Sequence, residues 1–142
     1  MSVAALLIAA RVPFAVVGGS ALGASTDLDL EVDDIETAIA AAKLAPRENQ
    51  PAPRADVEIR RCVECDLLRH ANDAFRASVF ARARDGVASV EDVLLIKHCA
   101  ATFSSTAQAK YRDGVEEIVG NTPALDFDYI NHWCERLGLP CI

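Results

Sequence analysis

The segment from Phe14 to Val32 constrains this chain more than any other part of it. It reads FAVVGGSALGASTDLDLEV, an apolar strand that runs into two glycines, followed by a second apolar strand with two aspartates. A glycine turn, here Gly18-Gly19-Ser20, brings backbone N–H groups close to phosphate oxygens. Asp27 and Asp29 are at positions i and i+2 of a strand, which predicts one shared face and a separation of about 6.6 Å along the chain. This combination predicts metal-assisted phosphoryl or nucleotidyl transfer.

The paired aspartates carry an electrostatic cost that itself predicts a cofactor. Two like charges about 6 Å apart repel by roughly 2–3 kcal/mol at an effective dielectric of about 20, and burial beside a sheet increases the repulsion. Mg²⁺ prefers carboxylate oxygens and keeps coordination positions for substrate phosphates, so we expect Mg²⁺ at Asp27 and Asp29. The alternative is an edge strand in which both aspartates face solvent while Leu28, Leu30 and Val32 face the core.

Length and charge limit the classes of protein to which the chain belongs. Its 142 residues are typical of one domain, and a hydrophobic content of 51% suffices for a packed core. The 14 basic and 21 acidic residues give a formal net charge of −7, and no run of Lys or Arg exceeds two residues. Because nucleic-acid phosphates are bound by clustered cations, duplex DNA is not expected as a partner.

The cysteines and the apolar stretches favour a cytoplasmic protein. Five cysteines, an odd number, in a chain with this much apolar content argue against a disulfide framework and for reduced thiols. The Cys62-Val63-Glu64-Cys65 motif has no second metal-ligand pair at a suitable spacing. The apolar stretch from Val3 to Ala10 has no preceding Lys or Arg, which favours a short buried helix over a signal peptide. No apolar stretch is long enough to span a membrane, so no membrane partner is expected.

Apolar periodicity divides the chain into an α/β part and a helical part. The expected organisation is a core at residues 1–86 and a helical extension at residues 87–142, packed as a single compact unit. The first helix is predicted to have an apolar stripe of Leu6, Leu7 and Ala10. The other elements predicted for the core are strands at Phe14–Val17 and Thr26–Val32, a helix starting at Asp33 and Asp34, strands within Val57–Leu68, and a helix from Asp73 to Arg84 that ends at Gly86.

Capping residues mark the helices of the last third. The Ser-x-x-Asp sequence at residues 89–92 resembles a capping box ahead of an apolar helix. Asp126 is placed to cap the final helix, with Leu125 and Ile130 as a hydrophobic staple. Gly138 is expected to end that helix. The predicted core face of the final helix comprises Ile130, Trp133 and Leu137.

Several motifs along the chain occur in a familiar order. They are Gly18-Gly19-Ser20, TDLDL at residues 26–30, VEDVLLIK at residues 90–97, KYRD at residues 110–113, and LDFDYI at residues 125–130 with Trp133 and Leu137-Gly138-Leu139 after it. Together they resemble the nucleotidyltransferase superfamily with the polymerase-beta-like fold. The similarity is greatest to the minimal bacterial nucleotidyltransferases, which include abortive-infection and toxin–antitoxin relatives. It covers most of the chain and is weakest between Pro46 and Gly86.

The resemblance implies a fold and a metal site. The implied fold is α/β (α+β): a nucleotidyltransferase-like mixed β-sheet flanked by helices, with a helical C-terminal extension. In this family Asp27 and Asp29 would hold Mg²⁺ and the incoming nucleoside triphosphate. A third carboxylate on a later strand would help to activate the attacking hydroxyl. Asp66 is the best match for that third, catalytic and metal-binding carboxylate, with Glu64 and Glu58 as alternatives.

The resemblance also implies nucleotide-binding residues and a reaction. Gly18, Gly19 and Ser20 would bind the β- and γ-phosphates, and Lys97 would reach substrate phosphates. The implied reaction transfers a nucleoside monophosphate to a hydroxyl of a protein, a transfer RNA or a small molecule.

One departure from the family pattern leaves a second interpretation open. Only six residues separate Ser20 from Asp27, fewer than the family usually has, and none of them is basic. The alternative is a non-catalytic binding protein of the same fold, or a toxin–antitoxin component that acts through a protein partner. Either protein could form a homodimer.

Overall fold

The structure, a computed structural model, describes residues 3–23, 28–32, 37–38, 40–41, 57–60, 69–103 and 108–142. This part of the chain combines α-helices with a small β-sheet and is rich in helix. Residues 37–38 and 40–41 are also helical. The elements in chain order are α1 (Val3–Ala9), β1 (Phe14–Val17), α2 (Gly18–Ala21), β2 (Leu28–Val32), β3 (Val57–Arg60), α3 (Arg69–Arg82), α4 (Val90–Phe103), α5 (Gln108–Asn121) and α6 (Phe127–Leu137).

The three described strands form a mixed sheet in the order β1-β2-β3. Strand β1 runs antiparallel to β2, and β3 runs parallel to β2. Because β2 is hydrogen-bonded on both sides, it is the central strand of the three. The alternative interpretation of the aspartate strand as an edge strand is therefore wrong.

Both faces of the sheet are covered by apolar clusters. On one face, Leu30 and Val32 of β2 pack with Leu7 of α1. On the other face, Ala15 and Val17 of β1 pack with residues of the C-terminal helices. Side chains alternate along a strand, so a strand buried on both faces reads as a nearly continuous apolar run, as β1 does.

The first helix ends earlier than its apolar stripe predicted. Leu7 is fully buried and Leu6 packs against the same cluster, whereas Ala10 is exposed. The chain turns at Arg11, which has a positive φ of 57°, and the Val12 N–H bonds to the Leu7 carbonyl at 3.0 Å. Ala10 lies outside the stripe because the helix has already ended at Ala9.

A short turn after α3 connects the sheet to the C-terminal helices. The Val16 N–H donates to the Gly86 carbonyl at 2.7 Å, and the Ala88 N–H donates to the Val16 carbonyl at 2.9 Å. Gly86 lies in this turn with a φ of 76°, four residues after α3 ends at Arg82. Residues on either side of position 86 thus share backbone hydrogen bonds, and side chains from both parts share one apolar core.

The predicted caps of α6 are confirmed. The Tyr129 N–H donates to the Asp126 carboxylate at 3.0 Å, and Gly138 adopts the left-handed conformation that ends the helix. Leu125 and Ile130 are both buried, as a hydrophobic staple requires. The predicted core face of α6 is buried at Ile130, Trp133 and Leu137.

An aromatic contact joins the first and the last of the four C-terminal helices. The rings of Phe75 on α3 and Trp133 on α6 have centroids 5.2 Å apart, and both side chains are buried. Helix α4 lies beside both α5 and α6 and buries most of its side chains. Among the described helices, none is long and apolar enough to cross a lipid bilayer.

Candidate functional site

The predicted glycine turn lies directly beside the aspartate strand. Val17, the last residue of β1, is the register partner of Asp29 on β2, and Gly18 follows at once. Gly18 is buried and has a φ of 64°, a conformation that strains any residue with a Cβ atom. The short helix α2 that begins at Gly18 contacts both β2 and α4. The fold therefore brings the glycine turn and the aspartate strand together.

Asp29 has an acidic partner on its other side. In the parallel pairing of β2 with β3, Asp29 is in register with Glu58. Neighbouring strands are about 4.8 Å apart, so this separation applies to the two backbones at these positions. Partners in register lie on the same face of a sheet. Asp29 and Glu58 are therefore at paired positions of adjacent strands, level with Val17 on β1.

The predicted metal ligands are only partly within the described residues. Asp29 and Glu58 belong to described strands, whereas Asp27, Glu64 and Asp66 lie outside the described ranges. Within those ranges, no three His, Cys, Asp or Glu side chains form a group that could hold a metal ion. The predicted set of Asp27, Asp29 and Asp66 stays a prediction, and the register adds a reason to consider Glu58.

The predicted nucleotide-binding lysine lies between α4 and α5. Lys97 is half-buried on α4, and the end of its side chain crosses the backbone of α5 at Gly114. A Cβ atom placed on Gly114 would be 3.4 Å from Lys97 Cδ and 3.7 Å from Lys97 Nζ. The packing of its side chain against α5 thus restricts where the ammonium group lies.

A buried polar cluster that the sequence analysis did not predict lies where α3, α4 and α6 meet. Asp92 is completely buried, and its Oδ1 accepts a hydrogen bond from the Tyr129 hydroxyl at 2.5 Å. Its Oδ2 accepts from the Ser89 hydroxyl at 2.8 Å. The Ser78 and Tyr129 hydroxyl oxygens are also 2.8 Å apart. Because the single hydroxyl proton of Tyr129 is donated to Asp92, Ser78 is the donor in this second bond.

Arg82 covers this polar cluster from α3. Its guanidinium carbon lies 3.8 Å from the centre of the Tyr129 ring, a cation–π contact. Its Nε is 3.8 Å from Asp92 Oδ2, and one of its terminal nitrogens is 3.7 Å from Glu91 Oε2. Glu91 in turn accepts a hydrogen bond from the Asp126 N–H at 3.1 Å. Arg82 of α3 and Glu91 of α4 are thereby connected to Asp126, the residue that caps α6.

Burial raises the pKa values of two groups in the cluster. Burial raises the pKa of Asp92, although the hydrogen bonds from Tyr129 and Ser89 oppose that effect. Burial, followed by the hydrogen bond to Asp92, raises the pKa of Tyr129 well above its usual range. A tyrosine that holds its proton this firmly is a poor general base for Ser78. The hydrogen bonds of these hydroxyls join α3, α4 and α6.

One sequence signal could have indicated the cluster. Glu91 and Asp92 are adjacent acids at the start of an otherwise apolar helix, and both are buried. Buried carboxylates require partners, so their position predicts hydrogen-bond donors on neighbouring helices. The capping interaction accounts only for Ser89, whose Oγ accepts from the Asp92 N–H at 3.2 Å. Tyr129 and Arg82, which come from other helices, are not indicated by any local pattern.

The chain was also compared with known proteins. No protein-family model matches it, and neither the curated proteins nor the solved structures contain a match.

Proposed function

We propose that this protein is a Mg²⁺-dependent nucleotidyltransferase-like protein that transfers a nucleoside monophosphate from a nucleoside triphosphate to a hydroxyl acceptor. One observation carries the proposal: the sheet register places Asp29 between Val17, which leads into the turn at Gly18, and Glu58. This register supports a site in which the proposed phosphate-binding turn and two acidic residues lie at one end of one sheet. The mixed sheet with helices on both faces supports the same fold assignment.

The residues at this position suit the proposed metal ion. Aspartate and glutamate supply hard oxygen donors, which Mg²⁺ prefers over nitrogen or sulfur. Asp27 and Asp29 would hold the ion together with a third carboxylate. When bound, Mg²⁺ supplies charge neutralisation for the phosphates. The protein's own part is to orient the triphosphate at the turn and to accept the proton of the attacking hydroxyl.

The proposed reaction is a nucleophilic displacement at the α-phosphorus. The acceptor oxygen forms a bond to the α-phosphorus, and the bond from that phosphorus to the bridging oxygen of pyrophosphate breaks. The hydroxyl proton goes to the third carboxylate, and pyrophosphate leaves with the bond electrons. Such chemistry depends mainly on positioning and on electrostatic stabilisation.

The third carboxylate has two candidates with different support. Asp66 has the better sequence match to the family pattern, and it lies outside the described residues. Glu58 is in register with Asp29 on the adjacent parallel strand, which supports it as a second ligand of a shared metal ion. We propose that Glu58 takes this role, and a direct comparison of the two variants tests the choice.

A second candidate function is a binding protein of the same fold without turnover. The observation that favours it is the short segment between Ser20 and Asp27, which contains six residues and no Lys or Arg. Because this segment has few hydrogen-bond donors, the protein would bind a triphosphate less tightly. Such a protein would act through a protein partner, as a toxin–antitoxin component or as a homodimer.

Reduced cysteines support the proposed cytoplasmic location. Cys99, Cys134 and Cys141 are free within the described part of the chain. Burial, and to a smaller extent the neighbouring Cys141, raises the pKa of Cys134, so this thiol stays protonated and unreactive. The acceptor proposed for this compartment is a protein, a transfer RNA or a small molecule that carries a hydroxyl group.

Isothermal titration calorimetry with a nucleoside triphosphate and Mg²⁺ tests the proposal. We expect binding heat that requires both components and that is lost in Asp29→Asn. Glu31→Gln is the matched control, since Glu31 lies two residues further along the same strand and is in register with Ala15 instead of the turn. Release of labelled pyrophosphate then separates the enzyme from the binding protein. Equal heats for wild type and Asp29→Asn would disprove the site.

A further inference from the structure

Two consecutive residues between α3 and α4 have a left-handed backbone. Asp85 has a φ of 53° and Gly86 has a φ of 76°. Arg84 and Val87, on either side of them, exchange two backbone hydrogen bonds of 2.9 Å. Positive φ at both central residues of a two-residue loop is characteristic of a type I′ turn, and Asp-Gly is one of the pairs that adopt it most readily. The residues Arg84–Val87 therefore form a tight turn, here called the Asp85-Gly86 turn.

The Asp85-Gly86 turn is hydrogen-bonded to β1. The Val16 N–H donates to the Gly86 carbonyl at 2.7 Å, and the Val16 carbonyl accepts from the Ala88 N–H at 2.9 Å. Val87 forms an isolated parallel bridge with Val16, so it adds a one-residue strand to the sheet. Strand β1 is therefore held on the side opposite to β2.

The last two residues of β1 are held from opposite sides. In an extended strand, the N–H and C=O groups of consecutive residues point to opposite edges. The backbone groups of Val16 face the Asp85-Gly86 turn, so those of Val17 face β2, where Val17 is in register with Asp29. Gly18 comes next and begins the glycine turn with a φ of 64°. Both contacts thus lie within two residues of the proposed phosphate-binding turn.

We propose that Asp85 and Gly86 are positioning residues for the glycine turn, because they fix the end of β1 from which Gly18 continues. The inference rests on the proposed function, in which the backbone of Gly18, Gly19 and Ser20 binds the phosphates. A misplacement of about 1 Å at such a site lowers activity by up to about a hundredfold. Both residues act through the backbone of β1 and make no contact of their own with the nucleotide.

The exposed position of Asp85 allows the turn to be altered without removing a buried side chain. Asp85→Asn removes the charge and keeps the preference for a positive φ. Asp85→Val disfavours that backbone conformation, because its Cβ is branched. Gly138→Ala is the matched control for backbone strain. Gly138 ends α6 with a φ of 67°, and nothing lies within 4 Å of its Cβ position.

Amide hydrogen exchange, followed by NMR, measures whether the turn holds β1. The reference is the Ile130 N–H of α6, which bonds to the Asp126 carbonyl. Relative to this reference, we expect the amides of Val16 and Ala88 to exchange several-fold faster in Asp85→Val than in wild type. Asp85→Asn and Gly138→Ala should leave these ratios unchanged. Equal ratios in Asp85→Val and wild type would overturn the proposal.

A milder variant keeps the test decisive if Asp85→Val does not fold. Asp85→Ala disfavours a positive φ less strongly, because alanine has no branch at Cβ. Faster relative exchange at Val16 and Ala88 in this variant supports the proposal, and unchanged exchange contradicts it.

Calorimetric titration with Mg²⁺ and with ATP, GTP, CTP and UTP in turn separates the inference from the proposed function. If both hold, Asp85→Val binds the preferred triphosphate several-fold more weakly than wild type, and Asp85→Asn and Gly138→Ala bind it as wild type does. If exchange at Val16 accelerates but Asp85→Val binds the triphosphate as wild type does, the inference is wrong and the proposed function stands. If wild type binds none of the four, the proposed function fails, and the exchange ratios still decide whether the Asp85-Gly86 turn fixes the end of β1.

Discussion

The hydroxyl of Tyr129 donates a 2.5 Å hydrogen bond to the buried carboxyl of Asp92 and thereby joins α6 to α4. The bond connects residues 37 positions apart in the sequence. Ser78 on α3 bonds to the same hydroxyl, so three helices meet at one oxygen atom. No local sequence pattern indicates these hydrogen bonds of the Tyr129 hydroxyl. They are the basis of the first two predictions.

Removing the Tyr129 hydroxyl tests how strongly this contact stabilises the fold. Tyr129→Phe leaves Asp92 buried with one fewer donor, and an unsatisfied buried acceptor costs about 1–3 kcal/mol. We expect the free energy of unfolding, from urea titration, to fall by that amount. Tyr111→Phe is the control, because no hydrogen bond of the Tyr111 hydroxyl occurs among the described residues. A loss of the same size in both variants would contradict the role of the hydroxyl bond.

The stability contributed by Asp92 should depend on pH. Burial raises the pKa of this carboxyl above its ordinary value of 3.8, so the folded protein holds the proton more firmly than the unfolded chain. The contribution is therefore fully present below pH 3.8 and is lost as pH rises through the raised pKa of the folded state. We expect wild type to gain stability over Asp92→Asn as pH falls through this window. Parallel pH profiles of the two free energies of unfolding would show that Asp92 does not titrate this way.

The turn at Gly86 should tolerate no side chain. A Cβ there would lie 3.3 Å from Phe14 Cε2, and the φ of 76° strains any residue other than glycine. We expect Gly86→Ala to reduce the free energy of unfolding by about 1–2 kcal/mol or more. Gly23 has a φ of 69° but open space around its Cβ position, so Gly23→Ala measures the backbone strain alone. The difference between the two variants reports the contact with Phe14, and a larger loss in Gly23→Ala would contradict the structure.

Phe75 should contribute more to stability than Phe103, a phenylalanine of the next helix in the chain. It is fully buried against Trp133, whereas Phe103 is 39% exposed at the end of α4. Phe75→Ala opens a cavity, for which losses of about 3–5 kcal/mol are typical. We expect Phe103→Ala to cost less than about 1 kcal/mol, as surface substitutions usually do. Thermal unfolding of both variants measures the contrast, and similar melting temperatures would contradict this burial pattern.

The identity of the third carboxylate can be decided by two matched substitutions. Glu58→Gln and Asp66→Asn each remove one charge and keep the side-chain shape. Because Glu58 is in register with Asp29, we expect Glu58→Gln to abolish Mg²⁺-dependent nucleotide binding while Asp66→Asn retains it. The opposite result would assign the role to Asp66, as the family pattern predicts. Circular dichroism of both variants confirms that each one is folded.

Local elements of the fold were predicted well because their causes are local. The strand Phe14–Val17 is observed with the predicted bounds, since a short apolar run ends at a glycine. The cap at Asp126 involves an N–H group only three residues away. The start of α3 was less accurate: it begins at Arg69 instead of Asp73, because no strong cap marks it.

The long-range contacts were not predictable in the same way. The sequence placed Asp29 after the turn at Gly18, but only the register shows that Val17 and Glu58 flank it. Sequence matching favoured Asp66 over Glu58, since strand neighbours are not encoded in spacing. Asp92 was identified only as part of a helix cap.

The sequence alone determined the strand Phe14–Val17 and the caps of α6, because caps, glycines and apolar periods act over a few residues. The tertiary structure decided which strands pair, which acid lies beside Asp29, and which donors satisfy Asp92. Those choices depend on burying both faces of the sheet and on finding partners for buried polar groups. Burial and partner choice are properties of the whole folded chain, so no short segment of sequence contains them.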